Sequence, residues 1–114
     1  MIWPAGGSVF FVSDLNQLIR LDARSGKVIW TKELSRYLKL DRRRSKEVVV
    51  HHGPILAGGY LYIASSNGSL TAFDPSSGED VRTVQIPGGA TTNPVVADGT
   101  LYVVSRNGEL YAFR

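Results

Sequence analysis

A repeated segment constrains this chain of 114 residues more than any other feature. Three stretches of the chain align without a gap: SVFFVSDLNQLIRLD (8–22), YLYIASSNGSLTAFD (60–74) and TLYVVSRNGELYAFR (100–114). A glycine precedes each copy, and the copies begin 52 and 40 residues apart. Because similarity that recurs along a chain indicates stacked copies of one supersecondary unit, this repeat determines the fold class.

Further parts of the unit align on both sides of these stretches. PILAGG (54–59) matches PVVADG (94–99), and DARSGKVIWTKEL (22–34) matches DPSSGEDVRTVQI (74–86). The unit therefore contains four short strands, predicted in the second copy near residues 54–57, 60–65, 69–73 and 80–86. A β-sandwich with coincidental similarity is the alternative. Four strands in a period near 40 residues favour a β-propeller, whose blades bury both sheet faces.

The turns between the predicted strands carry specific glycine signals. Asn67-Gly68 and Asn107-Gly108 predict two-residue type I′ turns, in which both central residues need a positive φ. Leu15-Asn16 stands at the same place in the first copy. Because leucine tolerates a positive φ poorly, we expect a different turn there. Gly58-Gly59 and Asp98-Gly99 predict tight turns between the first and second strands.

The predicted fold is all-β: a single propeller fragment of about three four-stranded antiparallel blades, spanning residues 1–114. Blade 1 covers about residues 1–50 with a basic insertion at 35–50, and blade 2 covers about 51–89. Blade 3, about 90–114, is incomplete because no segment supplies its outer strand; the N-terminal MIWPAGG aligns with a first strand instead.

Rings of blades avoid open sheet edges by closing on themselves. We therefore expect this chain to be the C-terminal part of a larger propeller that begins at a blade boundary and ends at its natural C-terminus. The isolated chain is expected to self-associate through its two uncovered end faces. No run of apolar residues is long enough to predict a membrane span, and no signal-peptide pattern is present.

The repeat resembles that of the quinoprotein-type (PQQ-like) propeller family, in the segments GYLYIASSNGSLTAFDPSSG and LDARSGKVIW. The C-terminal GGATTNPVVADGTLYVVSRNGELYAFR is similar to the last blades of the BamB family of outer-membrane assembly lipoproteins. The second copy departs from the repeat pattern, with Arg82 where the first copy has Trp30.

The resemblance to the BamB family implies a non-catalytic scaffold without a cofactor, on the periplasmic face of the outer membrane of a Gram-negative bacterium. It implies binding to other subunits of the assembly machine and to nascent outer-membrane proteins. The alternatives are a fragment of a PQQ-dependent quinoprotein dehydrogenase and a generic propeller interaction domain.

The residues offer little support for catalysis or metal binding. The chain has no cysteine, so it lacks the vicinal disulfide that the resemblance to quinoprotein dehydrogenases would imply. Asp22 and Asp74 occupy equivalent positions where a carboxylate caps the following turn, which favours a structural role. His51 and His52 are adjacent, so on a strand they point to opposite faces and cannot easily share a metal ion. We predict that they lie at a strand entry or in a loop.

Basic residues concentrate between residues 36 and 47, where six basic and two acidic side chains give a local charge of +4. The segment is either a solvated loop or an electrostatic contact with an acidic protein or anionic headgroups. Nucleic acid is disfavoured, because no base-reading motif accompanies the charge. In an up-and-down blade, the connection to the next blade lies at the same end of the sheet as the turn between the second and third strands. This segment is such a connection, so we expect it at that end. The candidate partner-binding residues there are Leu15, Asn16, Leu38, Leu40, Arg42, Arg43, Arg44, Lys46 and Arg106.

Overall fold

The computed structural model describes residues 2–34 and 49–113, which form eleven β-strands and no helix. Blade 1 contains β1 (Ile2–Ala5), β2 (Ser8–Val12), β3 (Gln17–Asp22) and β4 (Val28–Glu33). Blade 2 contains β5 (His51–Ala57), β6 (Tyr60–Ser65), β7 (Ser69–Phe73) and β8 (Asp80–Gln85), and blade 3 contains β9 (Val95–Ala97), β10 (Thr100–Val104) and β11 (Leu110–Phe113).

Each blade is a separate antiparallel sheet whose strands lie side by side in chain order. The all-β propeller architecture is confirmed, with sheets of four, four and three strands among the described residues. The first strand of blade 2 begins at His51, three residues before the predicted start, and a bulge separates His52 from Ile55 in its pairing with β6. No helix in the described ranges has the length and apolar character needed to cross a membrane.

The predicted tight turns between first and second strands are confirmed. Gly58 and Gly59 have φ of 56° and 84°, and Asp98 and Gly99 have φ of 51° and 71°. Positive values at both central residues define the type I′ turn, whose twist matches that of the flanking strands.

The type I′ prediction for Asn67-Gly68 and Asn107-Gly108 is wrong. Only the glycines have a positive φ, and the Gly68 N–H donates to the Ser65 carbonyl at 3.2 Å. The loop therefore has three residues, a type I turn followed by one left-handed residue. The first copy uses the same loop, with Asn16 at φ 56° in the glycine position, so our expectation of a different turn there is also wrong. Leucine is accommodated because Leu15 precedes the left-handed position.

The prediction that two aspartates cap the following turns is confirmed. The Asp22 carboxylate accepts a hydrogen bond from the Arg24 N–H at 2.9 Å, and Asp74 accepts one from the Ser76 N–H at 2.8 Å. These bonds fix the start of the turn between the third and fourth strands, as asparagine and aspartate commonly do.

Both faces of blade 2 are buried, because it packs between its two neighbours. We call the face of a blade toward the preceding blade its front face and the opposite face its back face. In the first seam, between blades 1 and 2, the cluster of buried apolar residues is Phe10, Leu18, Leu61, Ile63 and Phe73. In the second seam, between blades 2 and 3, it is Ala64, Leu70, Ile86, Ala90, Leu101 and Val103.

Candidate functional site

One end of the three sheets carries the turns between second and third strands, and we call it the turn face. The described parts of the blade-to-blade connections lie at this same end. The Ile86 N–H donates to the Gly68 carbonyl at 2.7 Å, and the Arg106 N–H donates to the Gly89 carbonyl at 2.8 Å. These bonds tie the connection between blades 2 and 3 to the turns of both blades.

Asn16 connects the turn face to both flanks of the basic segment. Its carbonyl accepts a hydrogen bond from the Leu34 N–H at 2.9 Å, and its side-chain amide donates to the Val49 carbonyl at 3.3 Å. The chain therefore leaves blade 1 and enters blade 2 at the same turn. Sequence reasoning placed Asn16 on this face but had no signal for the two bonds, because they join residues brought together only by the fold.

The structure places Leu15, Asn16 and Arg106 on the turn face. Leu15 is 58% exposed, so its side chain is accessible to a partner. Arg106 is exposed as well. The other candidates, Leu38, Leu40, Arg42, Arg43, Arg44 and Lys46, lie outside the described residues. Partner binding by this face remains a prediction.

The two histidines open β5, which confirms their predicted place at a strand entry. His51 pairs with Ser65 and His52 with Ala64, so the two imidazoles lie on opposite faces of blade 2. Burial, with a smaller contribution from the neighbouring His51, lowers the pKa of His52. Within residues 2–34 and 49–113, no three His, Asp or Glu side chains are grouped as metal ligands would be.

Ser65 pairs with a histidine, a contact that sequence reasoning missed. Its Oγ lies 2.6 Å from Nδ1 of His51, and the serine is only 2% exposed. Its counterparts Ser13 and Ser105 instead accept hydrogen bonds from N–H groups of the following turn. The serine position of the repeat therefore supports a turn in blades 1 and 3 and orients an imidazole in blade 2.

The second seam contains an apolar groove of about 340 Å³, a volume in the range of small-ligand sites. Tyr62, Arg82, Val84, Leu101 and Phe113 are among its lining residues. The Arg82 guanidinium donates to the Tyr62 hydroxyl across 3.4 Å. A smaller, more polar pocket of about 150 Å³ lies in the first seam.

Comparisons with known proteins agree with this geometry. The sequence profile described as outer membrane protein assembly factor BamB matches residues 16–114. No curated protein sequence matches the chain significantly.

The solved structures that resemble the fold include three from different proteins. The crystal structure of BamB from Moraxella catarrhalis superposes with a TM-score of 0.74 at 14% identity, over 97% of this chain and 30% of that one. The computationally designed Ika4 protein gives 0.70 at 10% identity, over 98% and 62%. The WD40 β-propeller domain of Doa1 gives 0.68 at 14% identity, over 95% and 33%.

These structural similarities establish the propeller fold, and the chain spans less than a third of the Moraxella protein's length. The profile match covers blades 2 and 3 and the part of blade 1 from residue 16 onward, including most of the residues that form the two seams. The chain belongs to the family of the outer membrane protein assembly factor BamB.

Proposed function

We propose that this chain contributes to a non-catalytic protein-interaction scaffold, within a propeller lipoprotein that assists assembly of outer-membrane β-barrel proteins. Its partners are other subunits of the assembly machine and nascent outer-membrane proteins, at the periplasmic face of a Gram-negative outer membrane. The family match over residues 16–114 is the observation that carries this proposal.

The turn face supports a role in presenting loops to partners. Scaffolds bind through loops held by rigid sheets, and the three blades supply such a frame. Asn16 holds both described flanks of the basic segment at this face. We propose that the +4 segment acts together with the exposed Leu15, its charge steering an acidic partner while the apolar side chain anchors that partner.

Affinity purification of the native protein from bacterial envelopes tests this proposal. We expect subunits of the β-barrel assembly machine to co-purify with it. Recovery of no such subunit, from envelopes in which the machine itself remains intact, would contradict the assembly role and favour a generic propeller interaction domain.

The alternative is a quinoprotein dehydrogenase, because the repeat resembles the one that those enzymes use. Adding pyrroloquinoline quinone and calcium to the native protein, with an alcohol or sugar and an artificial electron acceptor, distinguishes the two functions. A scaffold gives no dehydrogenase activity above the rate without protein. Turnover that depends on both additions would replace the scaffold proposal with the enzymatic one.

A further inference from the structure

The connections between consecutive blades differ in length, although they join equivalent positions of the repeat. Leu34 and Val50 flank the first connection and are equivalent to Ile86 and Ala90, which flank the second. Fifteen residues separate the first pair, and three separate the second pair. A run of three residues bridges at most about 14 Å, so its length alone keeps the two ends close, whereas a run of fifteen sets no such limit.

The exit from each of the first two blades is held by the same main-chain hydrogen bond. Asn16 and Gly68 are equivalent residues in the turns between second and third strands, and both have a positive φ. The Asn16 carbonyl accepts a bond from the Leu34 N–H at 2.9 Å, and the Gly68 carbonyl accepts one from the Ile86 N–H at 2.7 Å. This bond belongs to the repeat and does not depend on the side chain at the turn.

At the second connection, main-chain bonds also tie the incoming chain to both blades. The Ala90 N–H donates to the carbonyl of Ser65 in blade 2 at 3.0 Å. The Gly89 carbonyl accepts a bond from the N–H of Arg106 in blade 3 at 2.8 Å. The short connection is therefore fixed to the blade that it leaves and to the blade that it enters without help from a side chain at the Gly68 position.

At the first connection, the equivalent main-chain donor is used elsewhere. The N–H of Val50, which aligns with Ala90, donates to the Ser66 hydroxyl of blade 2 at 2.8 Å. The tie to blade 1 comes instead from the Asn16 side-chain amide, which donates to the Val49 carbonyl at 3.3 Å. Glycine, which the other two blades have at this position, cannot make such a bond. One residue therefore holds both flanks of the long connection.

We propose that Asn16 is a positioning residue for partner binding, because its side-chain amide fixes the two flanks of the basic segment relative to each other on the turn face. This inference rests on the proposed function, in which the basic residues between 36 and 47 meet an acidic partner. Asparagine suits the position because it combines tolerance of a left-handed φ with a side-chain N–H donor.

Amide hydrogen exchange in the native protein tests the Asn16–Val49 bond without reference to a partner. Asn16→Gly keeps the left-handed conformation and the carbonyl that binds Leu34, and it removes only the side-chain donor. We expect the Val50 amide to exchange roughly 2- to 10-fold faster, which is the effect of losing one hydrogen bond. The Leu34 amide should exchange at the wild-type rate, because its acceptor is retained.

Two further variants sharpen the exchange experiment. Asn107→Gly removes the same side chain from the corresponding turn of blade 3, and it should leave the Val50 amide unchanged. Asn16→Asp keeps the size of the side chain but sets a carboxylate oxygen against the Val49 carbonyl, so it should accelerate exchange at Val50 at least as much as glycine does. A Val50 amide that exchanges at the wild-type rate in both Asn16 variants would overturn the role of this bond.

A double-mutant cycle relates the bond to partner binding. The probe is the β-barrel assembly machine purified without this subunit. We expect Asn16→Gly to weaken binding of the native protein roughly 2- to 10-fold at low salt and to have little effect at high salt, because it misplaces charge. In a background with Arg42, Arg43 and Arg44 changed to glutamate, the same substitution should weaken binding no further, because the contact that it positions is already lost.

The cycle separates failure of this inference from failure of the proposed function. If the triple arginine variant binds as the wild type does, the basic segment does not bind the partner, and Asn16 positions no contact. If the triple variant binds weakly but Asn16→Gly binds normally, the proposed function stands and the positioning role of Asn16 is wrong. The positioning role is equally wrong if Asn16→Gly weakens binding by the same factor in both backgrounds.

Discussion

The two seams have the same repeat on both sides, yet the indole of Trp30 packs across the first, whereas the second contains the larger, apolar groove. In the first seam, the Trp30 indole N–H and the Arg20 guanidinium both donate to the Pro75 carbonyl at 2.9 Å. Gly78 lies so close to the Trp30 ring that an added Cβ would approach it within 2.7 Å. Blade 1 is thereby joined to a turn of blade 2 by packing and by two hydrogen bonds.

In the second seam, Arg82 stands at the position equivalent to Trp30. Its guanidinium has a long contact with the Tyr62 hydroxyl, and the space beside it forms part of the 340 Å³ groove. The hydrophobic clusters near the middle of both sheets are similar in kind. The comparison shows that strands and core positions are shared by every copy of the repeat, whereas the two seams differ at one position of the fourth strand, which is Trp30 in β4 and Arg82 in β8.

Replacing Trp30 with alanine is expected to have the largest effect on stability. Loss of a packed tryptophan costs roughly 3–5 kcal/mol, and the half-buried position of Trp30 places the expected loss in the free energy of unfolding near the lower value. Urea denaturation measures it. Ile29→Ala, at the exposed neighbouring residue, serves as the control and should cost much less. Equal losses in the free energy of unfolding for the two variants would mean that the Trp30 ring does not stabilise the seam.

Gly78 and Gly26 form a matched pair that isolates the contact with the tryptophan ring. They occupy equivalent positions with φ of 78° and 71°, but an added Cβ at Gly26 would meet nothing within 4 Å. Alanine at either site must adopt a left-handed conformation, which lowers the free energy of unfolding by about 1–2 kcal/mol. At Gly78 overpacking adds roughly 1–3 kcal/mol. Similar values from thermal unfolding of the two variants would contradict the close packing of Trp30.

Arg82→Trp tests whether this position keeps the second seam open. An indole placed in the apolar groove should bury enough surface to stabilise the fold by about 1 kcal/mol. Arg82→Ala is the control, because it removes the guanidinium without filling the groove and should not stabilise. Denaturant unfolding compares the two, and a destabilised tryptophan variant would show that the groove cannot accept the ring.

The smallest expected effect on stability comes from the titration of His52 with pH. Because burial lowers the pKa of His52 in the folded state, the unfolded chain binds a proton first as the pH falls. This contribution to the free energy of unfolding is therefore complete above the ordinary pKa of 6.5 and declines as the pH falls below it. His52→Gln should flatten the decline between pH 7 and 5. A variant with the same pH dependence as the wild type would exclude His52 as its source.

Much of the fold was predictable because each element carries a local signal. The aligned repeat located the strands, and Gly58-Gly59 specified a type I′ turn correctly. The same rule failed at Asn67-Gly68, since a dipeptide does not reveal that the preceding Ser66 belongs to a three-residue loop. The alignment of Asn16 with Gly68 was the sequence signal for the three-residue loop, because asparagine also tolerates the left-handed conformation that this loop needs at one position.

The contacts between blades were beyond the reach of sequence reasoning. The Trp30 indole and its acceptor Pro75 are 45 residues apart, and nothing in the local sequence of either residue predicts their contact. The same holds for the bond from Asn16 to Val49, which bridges the basic segment. Topology predicted which residues share the turn face, but side-chain geometry there depends on the packing of neighbouring blades.

Binding of the native protein to the assembly machine, measured over a range of salt concentrations, tests the proposed role of the turn face most directly. The variant reverses the charges of Arg42, Arg43 and Arg44 to glutamate, and the control reverses Arg24 and Lys27 in the turn at the opposite end of blade 1. We predict that the triple variant binds more weakly at low salt and loses most of the wild-type salt dependence, while the control binds normally. Unchanged affinity of the triple variant at every salt concentration would contradict the role of the basic segment in partner binding.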